Sequence, residues 1–293
     1  MLLRVVAAGV DQGVWHLLTG TPYAMRLAGF GVRAPKNPLL GWDVARRVEA
    51  VGARVTTFRP GDEVFGTCRG AFAEYVAARA DRLVSKPDNV TFEQVAVVPI
   101  SGYAALQAVR EHGRVRAGQR LLVIGASGGV GSFAVQIAKA YGAEVTGVCS
   151  TSKVDLVRSL GADHVIDYTR EEIGDGRNRY DVILDIAGNR RLSELRRALT
   201  PRGTLVIVGG EDSGKWLGIR RQLRASALSP FVRQKLGTFI SKERRHDLEE
   251  FRALLERGAI RPVVDKTFPL TEVPEAISYL REGRARGKIA ITV

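Results

Sequence analysis

Hydrophobic and polar positions follow two different patterns along the chain. Over roughly the first ninety residues, short apolar stretches are separated by Gly, Pro and Asn, which is typical of many short β-strands joined by turns. This pattern indicates a β-barrel-like domain at the start of the chain. The strands that it predicts are Leu2–Ala7, Trp42–Val51, Glu63–Gly66, Ala71–Ala77 and Leu83–Pro87.

The middle of the chain has a longer and more regular pattern. Apolar runs that suit buried parallel strands alternate with segments whose apolar residues recur at helical spacing. This alternation indicates an α/β fold with a doubly wound parallel sheet. The predicted strands are Arg120–Gly125, Glu144–Cys149, His164–Ile166, Tyr180–Ile186, Thr204–Val208 and Lys235–Ile240. The predicted helices are Val130–Tyr141, Lys153–Leu160, Arg191–Leu199 and Asp247–Arg257. Outside this region, a helix is predicted to begin at the Thr91–Gln94 capping box, and others to span Tyr103–His112 and Glu272–Glu282.

The first strand–helix junction of this region carries a motif of small residues. Ala126, Gly128 and Gly131 have the spacing of G-x-G-x-x-G, with alanine in the first place. Small residues let the backbone approach a pyrophosphate, and the N-terminus of the following helix offers N–H groups and a partial positive charge. Because the motif stands in a complete strand–turn–helix–strand unit, it predicts a dinucleotide-binding site.

Two other kinds of site share parts of this pattern. Gly125, Ser127 and Gly129 also spell the G-x-S-x-G elbow of serine hydrolases, but Gly131 has no role in such an elbow. A methyltransferase usually has an acid at the end of the second strand, whereas Cys149–Lys153 contains none. Hydroxyls and a lysine at this position suit a ribose 2′-phosphate, so the pattern favours NADPH as the cofactor.

Composition narrows the class of protein. The 293 residues are 45% hydrophobic, which is enough for two domains with their own cores, and no run is long and apolar enough to cross a membrane. The apolar start is interrupted by Arg4 and lacks a cleavage site, which argues against a signal peptide. Cys68 and Cys149 are the only cysteines, which excludes a disulfide framework and fits the cytoplasm. The net charge of +13 predicts a basic surface. Such a surface is ordinarily only solvated; the alternatives are that it attracts an anionic cofactor or nucleic acid.

Seven short motifs are spread over the whole chain. They are Ala7–Val10, Gly41-x-Asp43, Pro60–Gly66, Gly70–Tyr75, Ala126–Gly131, Leu160–Tyr168 and Gly287-Lys288. Together they resemble the medium-chain dehydrogenase/reductase family, in particular its zinc-free quinone oxidoreductase-like branch. The resemblance implies a Rossmann domain at residues 96–258, inserted into a GroES-like β-barrel domain at residues 1–95 and 259–293.

The resemblance also implies an activity. Relatives pass a hydride from nicotinamide C4 to a quinone or an α,β-unsaturated carbonyl, and a homodimer is expected. Zinc-dependent members have a cysteine and Gly-His-Glu where this chain has Asp11 and Gly41-Trp42-Asp43, and tryptophan cannot ligate zinc, so no catalytic metal is expected. An NADPH-binding protein with an RNA-binding or sensing role, and a catalytically inert assembly protein, are the alternatives from other functional classes.

Individual site residues follow from the resemblance. His16 and Tyr23 match polar residues that line the pocket of related quinone reductases; a hydrogen-bonded loop histidine and a tyrosine packed in a turn are the alternative interpretations. Three further groups match cofactor contacts: Ser127, Gly128, Gly129, Val130 and Gly131 at the pyrophosphate; Ser150, Lys153, Tyr168 and Arg284 at the 2′-phosphate; and Gly188, Val208 and Gly209 on the nicotinamide side.

The chain departs from the family pattern at two places. Arg46 stands where relatives commonly have glycine, and a glycine in a barrel strand usually marks a bulge or a close approach of another backbone. The arginine is therefore either strained or directed outward. The chain also begins inside the strand Leu2–Ala7, which relatives reach only after further strands, so we expect additional residues upstream of Met1.

Overall fold

The chain forms two compact units, and the second is inserted in sequence between two parts of the first. The computed structural model describes residues 1–21, 23, 26, 31, 33, 38–173, 179–209 and 220–293. The first unit contains the chain up to Tyr103, apart from a short piece around Thr21, and Lys242–Val293. The second contains Ala104–Ser241 and that short piece.

The described residues form strands and α-helices that are numbered in chain order. The strands are β1 (Leu2–Val10), β2 (Asp43–Ala50), β3 (Glu63–Thr67), β4 (Tyr75–Ala77), β5 (Leu83–Ser85), β6 (Arg120–Ile124), β7 (Glu144–Cys149), β8 (His164–Asp167), β9 (Tyr180–Asp185), β10 (Leu199–Ile207), β11 (Lys235–Thr238), β12 (Val264–Pro269) and β13 (Lys288–Thr292). The helices are α1 (Gln12–Thr19), α2 (Phe92–Ala96), α3 (Pro99–Gln107), α4 (Gly129–Ala140), α5 (Val154–Ser159), α6 (Leu192–Ala198), α7 (Arg220–Leu228), α8 (Arg245–Glu256) and α9 (Val273–Arg281).

The first unit is built on a seven-stranded sheet with β1 near its middle. The order is β12-β13-β1-β2-β3-β5, and β4 also pairs with β1. β1 runs antiparallel to β2, β4 and β13, whereas β12 and β13 are parallel. Leu3 on β1 is fully buried and packs in one apolar cluster with Val48, Phe58, Val64 and Leu83. This sheet is the GroES-like part of the fold.

The second unit contains a six-stranded sheet in which every pair of neighbouring strands is parallel. Its order is β11-β10-β9-β6-β7-β8, which is the strand order of a Rossmann fold. Leu121, Leu122 and Val123 on β6 are fully buried, as expected for a strand covered on both faces. The chain reverses its winding between β6 and β9, and ligands of such sheets bind outside the carboxyl ends of the strands at that point.

The compact units of the structure divide the chain near residues 103 and 242, whereas the predicted domain boundaries are at residues 96 and 258. Helix α8, which was predicted as the last helix of the Rossmann domain, belongs to the first unit, as do residues 96–103. A Cβ added at Gly102 would lie 2.9 Å from Cζ of Phe251 on α8, so the Phe251 ring packs directly on the backbone of Gly102. Asn89 Nδ2 donates to the carbonyl oxygens of Leu255 and Glu256, at 2.9 and 3.2 Å. These long-range contacts hold α8 in the first unit.

Two helices were not predicted, although one of them has clear sequence signals. Asp11 caps α1 by accepting a hydrogen bond from Gly13 N at 2.7 Å, and Gly20 ends it with a φ of 59°. Both residue types are the usual markers of helix ends. The second, α7, begins next to residues that lie outside the described part of the chain.

Among the described residues, no helix combines the length and apolar character needed to span a bilayer.

Candidate active site

The small-residue turn after β6 brings the start of α4 very close to the strand. A Cβ added at Gly131 would lie 2.0 Å from the carbonyl oxygen of Gly125, a distance that no real Cβ atom adopts. Gly131 is therefore required for packing of helix on strand, which is the role of the third glycine in a dinucleotide-binding turn. A Cβ at Gly128 would meet the same oxygen at 3.4 Å, which is ordinary contact. The two glycines thus serve different purposes.

Backbone hydrogen bonds fix the shape of this turn. Gly125 N and Ala126 N both donate to the carbonyl oxygen of Val148 on β7, at 3.1 and 3.0 Å, and Gly128 N donates to that of Gly125 at 3.1 Å. Helix α4 starts at Gly129, and the first N–H groups of a helix have no acceptor within it. Because the first residues of α4 are partly exposed, these N–H groups and the helix dipole form a site for an anion.

Ser127 does not have the geometry of a hydrolase nucleophile. Its side chain is buried, with only 7% of the residue exposed, whereas an elbow serine presents its hydroxyl at the surface of the sheet. Its φ also lies outside the positive range that among the described non-glycine residues only Arg114 adopts. The G-x-S-x-G pattern in this chain is therefore a by-product of the dinucleotide turn.

The end of β7 gathers the three residues predicted to recognise a 2′-phosphate in this unit. Tyr168 N donates to the carbonyl oxygen of Cys149, the last residue of β7, at 3.1 Å. Lys153 N donates to the carbonyl oxygen of Ser150 at 2.9 Å, which places Lys153 in the tight turn directly after the strand. Tyr168 is 49% exposed, so its ring is available to a ligand. Ser150, Lys153 and Tyr168 therefore border one strand end, where an NAD-specific protein would usually have an acid.

The nearest acid, Asp167 at the end of β8, is already engaged by neighbouring hydroxyls. Its carboxylate accepts hydrogen bonds from Thr151 Oγ1, and from Thr169 N and Oγ1 at 3.0 and 2.7 Å. The hydrogen bond from Thr151 in particular lowers the pKa of Asp167. Burial meanwhile raises the pKa of the Cys149 thiol to about 11, so this cysteine is a neutral packing residue at neutral pH.

Sequence analysis missed Asp185, which organises the loops that are predicted to lie on the nicotinamide side. Asp185, the last residue of β9, is fully buried, and its carboxylate pairs with Arg221 Nη2 at 2.6 Å. Burial raises the pKa of Asp185, and the Arg221 charge opposes that shift. Its carboxylate also accepts a hydrogen bond from Gly188 N at 3.1 Å. An acid at the end of an otherwise apolar strand is the signal that could have revealed it.

The backbone of Asp185 connects the other two predicted residues to the same point. Its carbonyl oxygen accepts hydrogen bonds from Val208 N and Gly209 N, at 2.9 and 3.3 Å. A Cβ at Gly209 would lie 1.9 Å from the carbonyl oxygen of Ile186, so the loops after β9 and β10 touch through backbone alone. Gly188, Val208 and Gly209 thus lie together beside the turn after β6, since Ala187 N also donates to Ile124 O at 3.2 Å.

Comparisons with known proteins agree with this geometry. Residues 1–88 match the family described as alcohol dehydrogenase GroES-like domain, and residues 160–291 match zinc-binding dehydrogenase. The mouse mitochondrial NAD(P)H oxidoreductase RTN4IP1 is 36% identical over 279 residues, which cover 87% of this chain and 70% of that protein. The chloroplastic NADPH-dependent alkenal/one oxidoreductase of Arabidopsis thaliana is 34% identical, with 99% of this chain and 71% of that protein covered. The structure of the quinone oxidoreductase from Coxiella burnetii superposes with a TM-score of 0.82 at 25% identity and covers all of this chain and 90% of that one.

The chain belongs to the medium-chain dehydrogenase/reductase family, in its quinone oxidoreductase-like branch. It is an oxidoreductase of this family type and uses a nicotinamide coenzyme. The glycine turn, the strand end at Ser150 and the loops around Asp185 fit such a coenzyme, because the carboxyl ends of β6, β7 and β9 are neighbours in the sheet and offer helix N–H groups, cationic and hydroxyl groups, and glycine backbone.

Asp11 and Asp43 stand at positions that hold zinc ligands in zinc-dependent members of the family. Asp11 Oδ1 accepts from Gly13 N at 2.7 Å and Asp43 Oδ1 accepts from Ile100 N at 2.8 Å, so one oxygen of each carboxyl serves the backbone. Burial raises the pKa of Asp43 well above its usual value, although Lys288 opposes the shift, and a neutral carboxyl is a poor zinc ligand. Among the described residues, no third His, Cys, Asp or Glu ligand atom lies with these two carboxyls. A four-coordinate zinc site does not fit here.

Two of the predicted residues belong to the first unit, and a third is next to undescribed chain. His16 lies in the last turn of α1, in the first unit. Arg284, also in the first unit, pairs with Glu282, and its guanidinium lies 4.9 Å from the ring centre of Tyr279. Tyr23 has the Arg26 guanidinium 4.8 Å from its ring centre. Roles for these three side chains stay predictions.

Proposed function

We propose that this protein is an NADPH-dependent, zinc-independent reductase of quinones or α,β-unsaturated carbonyls. The observation that carries the proposal is the strand end formed by Ser150, Lys153 and Tyr168, where hydroxyl and ammonium groups stand in place of an acid. The names of relatives add support, since an alkenal/one oxidoreductase that depends on NADPH and a quinone oxidoreductase are among them.

The residues of the chain have a binding and positioning role in this reaction. Bound coenzyme would supply the hydride, and quinones and enones are electrophilic enough to accept it without a metal Lewis acid. The helix N-terminus at Gly129 would hold the pyrophosphate, and Lys153 the 2′-phosphate. The backbone around Gly188 and Gly209 would orient the nicotinamide, because orientation and exclusion of water are what such a site must provide.

The activity can be tested by following NADPH oxidation with three acceptors: 1,4-benzoquinone, a small enone and the saturated ketone of the same carbon skeleton. We expect turnover with the quinone or the enone, and none with the saturated ketone, which lacks the activated double bond. Absence of turnover with all three, for a protein shown to bind NADPH, would contradict the proposed activity while leaving the coenzyme site intact.

Lys153→Glu is expected to weaken NADPH binding by about 1–3 kcal/mol, because a charge-assisted contact to the 2′-phosphate is lost and a like charge replaces it. Binding of NADH, which lacks that phosphate, should change much less. The measurement is a fluorescence titration with both coenzymes. Arg158→Glu is the matched control, since it makes the same charge change at an exposed position of α5. Equal affinities of the parent protein for NADH and NADPH would contradict the proposed preference.

The proposal also predicts that activity does not depend on zinc. Purified protein should contain far less than one zinc per chain by elemental analysis, and overnight treatment with EDTA should leave NADPH oxidation unchanged. The physical reason is the shortage of ligands around Asp11 and Asp43 described above. Activity that is lost in EDTA and returns with added zinc would show that the metal site exists after all.

We further propose that the protein is a homodimer that associates through β11. This strand lies at the edge of the six-stranded sheet, and an uncovered edge tends to pair with another strand. Phe231 and Ile240, which flank it, are 85% and 90% exposed, which is unusual for large apolar side chains. Sedimentation equilibrium should give about twice the chain mass of 31.9 kDa, and Ile240→Lys should lower that value toward one chain. A parent protein that sediments as a monomer at micromolar concentration would refute the dimer.

A further inference from the structure

The second unit contains a cavity that the coenzyme site does not use. Its volume is about 620 Å³, which is within the range of small-molecule sites. It lies between the segment Glu111–Gln119 and the residues at or near the starts of β9, β10 and β11. None of the described residues that line it belongs to the turn after β6, to the end of β7 or to the loops around Asp185.

The side chains around this cavity are strongly cationic. Arg114, Arg116, Arg202 and Lys235 line it, and no ion pair is found for any of them within the described part of the chain. The two acidic side chains that line the cavity, Glu111 and Asp181, each have a partner in the protein. Glu111 pairs with Arg110 at 2.8 Å.

The other acid, Asp181, serves the backbone of the sheet. Its Oδ2 accepts a hydrogen bond from Arg120 N at 3.0 Å, and its Oδ1 faces Thr200 Oγ1 at 3.5 Å. Because Arg110 balances Glu111, four cations face the single remaining charge of Asp181, and this excess of positive charge favours a bound anion.

The backbone that carries two of these cations is unusual. Residues Ala108–His112 form a π-helical turn, in which Gly113 N donates to Ala108 O at 2.7 Å, and such turns are frequent at functional sites. Arg114 follows with a φ of 50°, the one positive φ at a non-glycine position among the described residues. A positive φ costs free energy at any residue that has a Cβ, and such strain is common at ligand sites.

The floor of the cavity contains open space beside a strand glycine. A Cβ added at Gly237 on β11 would meet no atom within 4 Å, so the space above this residue is empty of protein among the described residues. Glycine inside a strand lacks a side chain to pack and often marks close approach of a ligand. Because Gly237 also lines the cavity, there is room at its edge for a larger residue.

We propose that this cavity is a second binding site, for a small molecule that carries a di- or triphosphate group. Three arginines and one lysine match the three to four negative charges of such a group, and the planar guanidinium binds two phosphate oxygens at once. The proposal does not depend on the reaction that the enzyme catalyses, because it rests on side chains that take no part in the coenzyme site.

Calorimetric titration with inorganic tripolyphosphate tests this site at constant ionic strength. Arg202→Gln combined with Lys235→Gln, and separately Gly237→Leu, should each weaken binding at least tenfold. Lys153→Gln, which alters only the coenzyme site, should leave this binding unchanged. Arg158→Gln is a further control for loss of one exposed positive charge. Thermal melts should confirm that all variants fold, and the double glutamine variant decides if Gly237→Leu does not fold.

Two results would overturn the proposal. If Lys153→Gln abolishes binding while the cavity variants retain it, the anion occupies the coenzyme site. If tripolyphosphate does not bind at millimolar concentration, the four cations form only a solvated basic surface. A titration with citrate tests whether the site selects phosphate. Equal affinities for this tricarboxylate and for tripolyphosphate would show that it does not.

Discussion

Replacing Gly131 by alanine is expected to lower the melting temperature sharply and to abolish coenzyme binding. The new Cβ would lie 2.0 Å from Gly125 O and 2.8 Å from Ala126 Cα, and both are backbone atoms that cannot turn aside. Helix α4 would have to move away from β6, at a cost at or above the usual range of about 1–3 kcal/mol for an overpacked site. The measurements are a thermal melt by circular dichroism and an NADPH titration.

Gly128→Ala is the matched control for this variant. Its Cβ would meet only Gly125 O, at 3.4 Å, and the residue has a φ of −80°, which alanine adopts without strain. We expect its melting temperature to stay within about a degree of the parent value and its NADPH affinity to fall, because the added methyl group faces the proposed pyrophosphate. If Gly131→Ala melts like the parent protein, helix and strand are further apart than the structure shows.

The parts of the fold that could be predicted are those in which the local pattern and the three-dimensional environment agree. The run Leu121–Val123 reads as a buried strand because it is apolar throughout, and the structure buries it completely. The capping box of α2 is equally local, since Thr91 and Gln94 exchange hydrogen bonds only three residues apart. Strand order then follows from the β–α alternation, which leaves few topologies open.

The parts that could not be predicted depend on residues far apart in sequence. Asp185 and Arg221 form a buried pair across the end of the sheet, and no window of sequence contains both. Helix α8 has a regular amphipathic pattern, but only its contacts with Asn89 and Gly102 decide that it belongs to the first unit. The cavity beside Gly237 is likewise assembled from four separate segments. Local pattern predicts which elements form, whereas their partners depend on packing.

The residues of the candidate site also differ in how far local sequence predicts their grouping. The glycine turn and the residues after β7 belong to one continuous unit, so their grouping around one strand end follows from sequence spacing. His16 and Tyr23 were assigned by resemblance alone, and no local pattern connects either one to the coenzyme loops. Their proposed catalytic roles therefore need kinetic tests, whereas the coenzyme contacts can be tested by binding alone.

The structure settles the orientation of Arg46, which the sequence left open. The residue lies on β2 opposite Val5 and Val64, and its side chain is fully buried instead of being directed outward. One nitrogen, Nη2, donates to Cys68 Sγ, while Nε and Nη1 have no partner among the described residues. Burial lowers the pKa of Arg46, and it raises that of Cys68 against the effect of the arginine charge. A buried guanidinium with one weak acceptor is costly.

Arg46→Met is therefore expected to stabilise the protein by about 1–4 kcal/mol, the range found when buried charges are replaced by apolar side chains of similar size. Methionine fills the space of the arginine stem and removes two buried donors that have no partner. Arg47→Met is the control at the next position, where the side chain is 49% exposed and pairs with Glu63 at 3.1 Å. It should change stability by less than about 1 kcal/mol, because exposed ion pairs contribute little. Thermal and urea melts of both variants measure the difference, and an Arg46→Met protein that melts below the parent while Arg47→Met does not would show that the buried charge stabilises the fold.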